Sequence, residues 1–281
     1  MKNNQRLHLP PLSPKNFQQL AKVAHDYAGI VLDNNKQHFI YNRLFKRLHK
    51  LNLSDLDTYC ALIATGDRHE LDAFINAITT KVTYFFREKF HFDYLSEVIL
   101  PHLIKTKKNT HKIRIWSAGC ASGEEAYSIA MVVYDMLPQN QLWDVKILAT
   151  DIDSDSLVIA RKAVYAASTI EHLDREQKKR WFLKGSAQNE GMIAVRPEIK
   201  NLVHFKHLNL INSWPMRGTF DIIFCRNVAI YLSKETQQTL FNKFRNYLPI
   251  GAFLIIGQAE TLYQSSDCYT LIKNSIYQRS R

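Results

Sequence analysis

The chain has 281 residues, 46% of them hydrophobic, which is enough for one large domain or two modest ones with a real core. Its formal charge of +11 favours an acidic partner but does not choose between nucleic acid, an anionic membrane surface and an acidic protein. The cysteines Cys60, Cys120, Cys225 and Cys268 lack metal-ligand spacing, which argues against a zinc site or disulfide framework and for a reducing cytoplasm.

Residues 1–14 are polar and contain several prolines, which predicts a flexible leader. This stretch lacks the apolar segment of a signal peptide, and no apolar run along the chain reaches the length that spans a bilayer. We therefore expect no membrane insertion. Over residues 15–80, apolar side chains recur at spacings of three and four, which predicts a small all-helical domain whose first helix ends at Gly29.

The second predicted helix, QHFIYNRLFKRLHKL, carries an apolar stripe and a basic stripe. The apolar stripe consists of Ile40, Leu44, Leu48 and Leu51, and the basic stripe of Arg43, Lys46, Arg47 and Lys50. No acidic residue occurs from His38 to Lys50, so these cations lack partners along the helix. Such a stripe is usually a solvated face, and the alternative is a surface that meets an acidic partner. A third helix, capped by Ser54, and a fourth over LDAFINAIT complete the predicted domain.

Residues 81–110 are predicted to form a connection with a helix of its own. From residue 111 to the end, strands and helices alternate, which predicts a doubly wound, mostly parallel α/β sheet. The predicted strands are KIRIWSAG, VKILATDID, LVHFKHLNL, FDIIFCRNV and AFLIIGQ. Within this domain, WFLKG and GMIAVRP predict a small antiparallel hairpin in an insertion over about 165–200.

Ligands of such sheets lie at the carboxyl ends of the strands. The first strand ends in SAGCASGEE, which is not the GxGxxG pattern of pyrophosphate cofactors. Asp151 ends the second strand and suits a ribose diol, although it could instead cap the next helix, as Asp153 could. A nucleoside cofactor without pyrophosphate points to S-adenosylmethionine. Of Glu124 and Glu125, either one binds the cofactor's ammonium or both only stabilise the helix dipole.

Five strings resemble, in order, the CheR family of chemotaxis receptor methyltransferases. They are YNRLFKRL, TTKVTYFFRE, IWSAGCASGEEAYSIAM, LATDIDSDSLVIAR and FDIIFCRNVAIYLSKETQ, and the resemblance runs from about Ser13 to the end of the chain. It implies a Rossmann-like methyltransferase sheet, S-adenosylmethionine as the cofactor and a cytoplasmic location. The implied reaction is methylation of glutamate side chains on the cytoplasmic domains of chemoreceptors, the modification used in chemotactic adaptation.

The resemblance also implies roles for single residues. The implied cofactor contacts are Lys81, Thr83, Arg87, Glu125, Asp151, Asn209, Leu210, Arg226 and Asn227. Arg87 and Tyr231 match positions that hold the substrate carboxylate, and the basic helix matches the one that faces the receptor. The β insertion matches a subdomain that captures a receptor C-terminal peptide in some members. Lys81 departs from the family's usual asparagine, and a cation there either repels the sulfonium or meets a nearby carboxylate.

Two other functions stay open. A nucleic-acid methyltransferase fits the positive charge, but such enzymes need either a proline-containing motif where this chain has RNVAIY or a cysteine nucleophile in a loop, and Cys225 is predicted inside a strand. A non-catalytic, cofactor-sensing scaffold is favoured only by Lys81. Because a glutamate carboxylate, with a pKa of about 4.3, is already anionic at neutral pH, its methylation needs no general base and no metal.

Overall fold

The computed structural model describes residues 12–138, 141–262 and 266–281. The predicted leader lies outside these residues except for its last three. The chain forms two compact units. The helical unit contains the described residues up to Thr80 together with Tyr231–Thr236, and the α/β unit contains Lys81–Ile230 and Gln237–Arg281. Among the described residues, no helix has the length and apolar character needed to cross a membrane.

The helical unit contains α1 (Pro14–Ala28), α2 (Gln37–Leu51), α3 (Leu56–Ala64) and α4 (Arg68–Ile78). Gly29, in the left-handed region at φ +69°, ends α1 as the sequence predicts. The predicted cap of α3 is wrong by one residue, because Asp55 accepts the Thr58 N–H at 2.7 Å and Ser54 donates to Asp55 instead. A carboxylate is the stronger acceptor for a backbone N–H at this position.

The α/β unit begins with a connection that contains α5 (Phe90–Tyr94), a π-helical turn (Leu95–Ile99) and α6 (Leu100–Thr106). Its strands are β1 (Lys112–Ala118), β2 (Asp144–Asp151), β3 (Val164–Ala166), β4 (Phe182–Lys184), β5 (Met192–Val195), β6 (Val203–His207), β7 (Ile222–Cys225), β8 (Phe253–Ile256), β9 (Tyr269–Lys273) and β10 (Ile276–Arg279). The remaining helices are α7 (Glu124–Met136), α8 (Ser154–Lys162), α9 (Arg175–Trp181), α10 (Pro197–Lys200) and α11 (Lys234–Arg245), the last of which starts within the Tyr231–Thr236 segment.

Seven of these strands form one sheet in the order β6-β2-β1-β7-β8-β10-β9. The first five strands of that order are parallel, and β10 pairs antiparallel with both of its neighbours. A second sheet, in the order β3-β5-β4, is antiparallel. The predicted mostly parallel α/β sheet with a small antiparallel insertion after a helical domain is therefore confirmed.

Three strands among the described residues, β3, β9 and β10, were not predicted from the sequence. The strand β3 has only three residues, too few to show an alternation of apolar and polar side chains. It begins directly after Ala163, which has a left-handed φ of +59° and ends α8. The hairpin of β9 and β10 was also missed, because β9 is exposed along most of its length and lacks an apolar alternation.

The direction of strand addition reverses at β1. From β1 the chain adds β2 and β6 on one side and later adds β7 and β8 on the other. In open α/β sheets, the crevice at such a switch point, beyond the carboxyl ends of the strands, is where ligands bind. The turns after β1, β2 and β7 are therefore the place to look for chemistry.

Candidate functional site

The turn after β1 approaches the loop after β7 closely. Gly119 has φ +90°, and a Cβ placed there would lie 2.2 Å from Cγ2 of Val228. The N–H groups of Gly119 and Cys120 both donate to the Thr150 carbonyl, at 2.7 and 3.0 Å, which ties this turn to the end of β2. Glycine is needed here both for its left-handed backbone and for the close packing of the two loops.

Asp151 and Asp153 have separate tasks. The Asp151 carboxylate accepts the N–H of Ala121 on Oδ2 at 2.7 Å and the N–H of Asp153 on Oδ1 at 2.8 Å. Asp153 caps α8 by accepting the Ser156 N–H at 3.0 Å. Burial raises the pKa of Asp151, and the two backbone donors oppose that shift by stabilising the anion. Asp151 therefore joins the β1 and β2 turns, and Asp153 is the residue that caps the helix.

Glu125 belongs to a buried ionic network around Arg226. The Arg226 side chain, 1% exposed, lies between two carboxylates, with Nη1 3.1 Å from Glu125 Oε2 and Nη2 3.2 Å from Glu88 Oε2. Glu125 also accepts the Ser117 hydroxyl at 2.7 Å. Burial raises the pKa of Glu125, and the charge of Arg226 works in the opposite direction. The two acids that the sequence could not distinguish thus differ, because Glu124 accepts from the Ser122 hydroxyl at 2.7 Å while Glu125 faces Arg226.

The loop after β7 is held by a carboxylate that the sequence did not reveal. Glu260 accepts the backbone N–H groups of Asn227 and Gly257 on Oε2, and those of Val228 and Ile230 on Oε1. Asn227, at φ +58°, directs its amide to Glu88 Oε1 at 3.3 Å. Burial raises the pKa of Glu260, and its four N–H donors oppose the shift. Glu88 and Glu260 were missed because their partners in the loop after β7 lie more than 25 residues away in sequence.

A segment over residues 81–88 runs along this site. At its start, Lys81 Nζ lies 2.5 Å from Asp153 Oδ2, so the unexpected lysine meets a carboxylate.

Hydrogen bonds hold the second half of the 81–88 segment. The Phe86 N–H donates to the Ser128 hydroxyl at 2.9 Å. At its end, the Arg87 carbonyl accepts from Arg226, and the Arg87 guanidinium donates to the carbonyl of Val82 at 2.8 Å. Thr83 lies half-buried in the middle of the segment.

The residues after β6 lie beside Asp151, because β6 pairs with β2 in parallel. The Leu208 N–H donates to the Asp151 carbonyl at 3.0 Å, which places Asn209 and Leu210 directly beyond that contact. The Leu210 carbonyl accepts from the indole of Trp214 at 3.1 Å. The predicted cofactor residues of the α/β unit therefore come from turns at one edge of the sheet and from the adjoining 81–88 segment. Their contacts with the cofactor stay a prediction.

Tyr231 groups with the helical unit. Its carbonyl accepts the Val31 N–H at 2.8 Å, and Lys36 Nζ lies 5.6 Å from the centre of its ring. Its predicted role toward the substrate carboxylate is not tested by these contacts.

The basic stripe of α2 divides into two pairs of residues. Arg47 forms an ion pair with Glu70 of α4, and the Tyr59 hydroxyl donates to the same carboxylate at 2.9 Å. Arg43 donates to the carbonyl of Thr79 at 2.8 Å. Lys46 and Lys50 are exposed. The four cations lack partners along α2, as the sequence predicts, but the inference that all four are exposed cations is wrong for the two arginines, because α4 and the residues after it supply their partners.

Comparison with known proteins connects both units to one family. The model of the CheR methyltransferase all-alpha domain matches residues 15–79, and that of the CheR methyltransferase SAM binding domain matches residues 81–278. The chemotaxis protein methyltransferase of Escherichia coli is 36% identical over 273 residues, covering 96% of this chain and 92% of that protein. A probable chemotaxis protein methyltransferase of Rhizobium etli is 39% identical over 237 residues, 83% of this chain and 87% of that protein. The chemotaxis protein methyltransferase of Borreliella burgdorferi is 38% identical over 250 residues, 87% of each chain.

Proposed function

The chain belongs to the CheR methyltransferase family, and we propose that it methylates glutamate side chains of chemoreceptors in the cytoplasm, forming methyl esters. Its cofactor is S-adenosylmethionine, since the family's SAM binding domain spans residues 81–278. The observation that carries the proposal is the cluster of carboxylates at the switch point of the sheet, where Asp151 and the Glu125–Arg226 pair occupy neighbouring turns.

These carboxylates suit the chemical groups of the cofactor. Asp151 accepts the Ala121 N–H on one oxygen and the Asp153 N–H on the other, and because an ionised carboxylate has about four acceptor sites, it retains capacity for a ribose hydroxyl. Glu125 supplies negative charge for an ammonium group, since Arg226 is shared between it and Glu88. Asp153 pairs with Lys81, which supports the alternative in which this lysine meets a nearby carboxylate.

Methyl transfer to a carboxylate requires no acid–base catalysis by the protein. S-adenosylmethionine supplies an activated methyl carbon, which bonds to a carboxylate oxygen as the carbon–sulfur bond breaks and leaves neutral S-adenosylhomocysteine. A glutamate with a pKa of about 4.3 is already the nucleophile, so the protein must position it and remove water around it. A guanidinium carries five N–H donors, and we assign Arg87 to hold the substrate carboxylate while one donor stays on Val82.

Two buried cysteines argue against the alternative function, methylation of nucleic acid. Cys120 and Cys225 are buried, and burial raises the pKa of both thiols well above its usual range. A thiol of this kind stays protonated and is a poor nucleophile, which disfavours the mechanism that methylates pyrimidine carbon.

The decisive experiment incubates the protein with methyl-labelled cofactor and purified receptor cytoplasmic fragments. We expect label on glutamate that is released as methanol by mild alkali, because esters hydrolyse and N-methyl groups do not. Fragments with the labelled glutamates changed to alanine should take up no label. Transfer to RNA or DNA instead would contradict the proposal. Cofactor binding without transfer to any receptor fragment would favour the non-catalytic scaffold.

A further inference from the structure

We propose that Lys81 is a positioning residue, which holds the 81–88 segment against the cofactor site through Asp153 and does not itself contact the cofactor. The family resemblance places a direct cofactor contact at this position, where asparagine is usual. The structure instead directs the Lys81 ammonium to a carboxylate of the protein. The inference rests on S-adenosylmethionine binding and does not depend on the identity of the methyl acceptor.

The ion pair is anchored in a buried part of the site. The Asp153 side chain is 3% exposed, and that of Lys81 is 34% exposed. One oxygen of Asp153 caps α8 through Ser156, and the other meets Lys81. A buried carboxylate is stabilised by such a counter-charge, and removing the cation from a buried ion pair is strongly unfavourable. The start of the segment is therefore tied to the first turn of α8.

The Lys81–Asp153 ion pair is connected to Asp151, the predicted ribose ligand, by one hydrogen bond. Asp153 donates its backbone N–H to Asp151 Oδ1 at 2.8 Å, so the residue that receives Lys81 also orients the Asp151 carboxylate. A shift of Asp153 after loss of its counter-charge would move or release that hydrogen bond. Lys81 thus acts on the cofactor site through two consecutive contacts within the protein.

The rest of the segment shows why its start needs this anchor. The Phe86 N–H donates a hydrogen bond to the Ser128 hydroxyl, and the Arg87 carbonyl accepts one from the Arg226 guanidinium. The second half of the segment is therefore held through its backbone. In the first half, Val82 is 69% and Tyr84 is 48% exposed, which means that their side chains contribute little burial. The hydrogen bond from Arg87 to the Val82 carbonyl lies within the segment and does not fix its start to α8. Without the ion pair, Thr83 and its neighbours would have to be ordered when the cofactor binds, and that ordering lowers affinity.

The test is a double-mutant cycle measured by calorimetry with S-adenosylhomocysteine. Lys81→Met removes the charge and keeps most of the length of the side chain, and Asp153→Asn removes the charge while asparagine still caps a helix. Each single variant should raise the dissociation constant about tenfold, and the double variant should be no weaker than the singles. Lys81→Arg should bind within about twofold of wild type, because the ion pair is kept.

Controls separate positioning from general stability and from direct contact. Lys22→Met removes an exposed ion pair with Asp26, 2.6 Å long, in the helical unit, and should leave the dissociation constant unchanged. A lower melting temperature of Lys81→Met with unchanged affinity would overturn the proposal and leave a purely structural ion pair. Penalties that add in the double variant would also overturn it, because they would show that Lys81 contacts the cofactor independently of Asp153. If receptor fragments are not methylated but the cycle shows coupling, only the proposed function fails.

Discussion

Asp151 is the residue on which cofactor binding should depend most. Replacing it by alanine removes a charged acceptor and leaves the Ala121 and Asp153 N–H groups without their partner. We expect Asp151→Ala to lose about 3 kcal/mol of cofactor binding free energy. Asp151→Asn, which keeps one acceptor, should lose less. Calorimetry with S-adenosylmethionine measures both, and near-normal affinity of the alanine variant would rule out the ribose role.

The same residue gives the binding a pH dependence. Burial raises the pKa of Asp151, so it takes up a proton at a higher pH than an exposed aspartate, whose pKa is about 3.9. Protonation removes the charged acceptor, and cofactor affinity should therefore fall on acidification before exposed aspartates titrate. The affinity of Asp151→Asn should change less over the same range, which identifies the titrating group.

Arg87 and Tyr231 are assigned to the substrate, so their variants should separate turnover from cofactor binding. We expect Arg87→Ala and Tyr231→Phe to lower kcat on receptor fragments by about tenfold or more, a larger effect than either has on the cofactor dissociation constant. Arg87→Lys keeps the charge but loses the planar fork and should recover only part of the rate. Wild-type turnover in either variant would remove that residue from the substrate site.

His91 should make the α/β unit sensitive to acid. Its side chain is fully buried, with Nε2 2.8 Å from the Ser275 hydroxyl and Nδ1 3.4 Å from Glu88 Oε2. Burial and the charge of Arg226 lower its pKa from 6.5 to about 3. The unfolded chain therefore takes up this proton below pH 6.5 while the folded one does not, and stability is lost as pH falls toward 3.

Each pH unit within that window should remove about 1.4 kcal/mol of stability. Urea denaturation of wild type and His91→Gln from pH 7 to pH 4 measures this slope, and the variant's slope should be smaller. Parallel curves would show that other groups determine the acid sensitivity.

At the scale of the element, α2 should contribute to receptor binding through its lysines and to stability through its arginines. Lys46 and Lys50 are exposed, whereas Arg47 is 12% exposed and paired with Glu70. We expect Lys46→Glu with Lys50→Glu to slow receptor methylation at low salt and to weaken its salt dependence, since steering is screened over about 8 Å at physiological salt. Cofactor affinity should not change.

A matched control makes the same charge change elsewhere. Lys105 and Lys108 are exposed in the α/β unit, and Lys105→Glu with Lys108→Glu alters the net charge equally. Equal salt slopes for the two double variants would show that net charge matters and that α2 has no special role. Arg47→Glu is unsuitable for this test, because it would place two carboxylates together in a nearly buried site.

The β insertion offers a second element-scale test. Gly185 donates its N–H to the Met192 carbonyl at 2.9 Å, which closes the loop between β4 and β5. Shortening the loop between Gly185 and Gly191 should weaken capture of a receptor C-terminal peptide, if that peptide adds a strand here, and should leave cofactor binding intact. Surface-immobilised peptide measures capture. Unchanged capture would leave the insertion as a structural flap.

At the scale of the whole molecule, the sequence predicted the architecture better than the site. Period and composition predicted the five parallel strands and most of the helices but not α9 and α10, and strand-end position singled out Asp151. Glu88 and Glu260 escaped notice because nothing local distinguishes them from solvent-exposed acids. The arginines of α2 were misjudged for the same reason, since tertiary partners decide whether a charge is free. The formal charge of +11 likewise does not predict that carboxylates lie at the turns after β1, β2 and β7.

The four backbone N–H groups that Glu260 accepts limit which side chains can replace it. Both carboxylate oxygens already accept two N–H groups each. Glutamine has the same shape and lies one nucleotide change away, yet its NH₂ would face two N–H donors and turn two attractive contacts into repulsive ones. The amide oxygen of glutamine could still accept the other two N–H groups, but it would not restore the two hydrogen bonds lost at the NH₂. Aspartate keeps the charge but is too short to reach all four groups, so neither the substitution closest in shape nor the one closest in charge preserves the four hydrogen bonds.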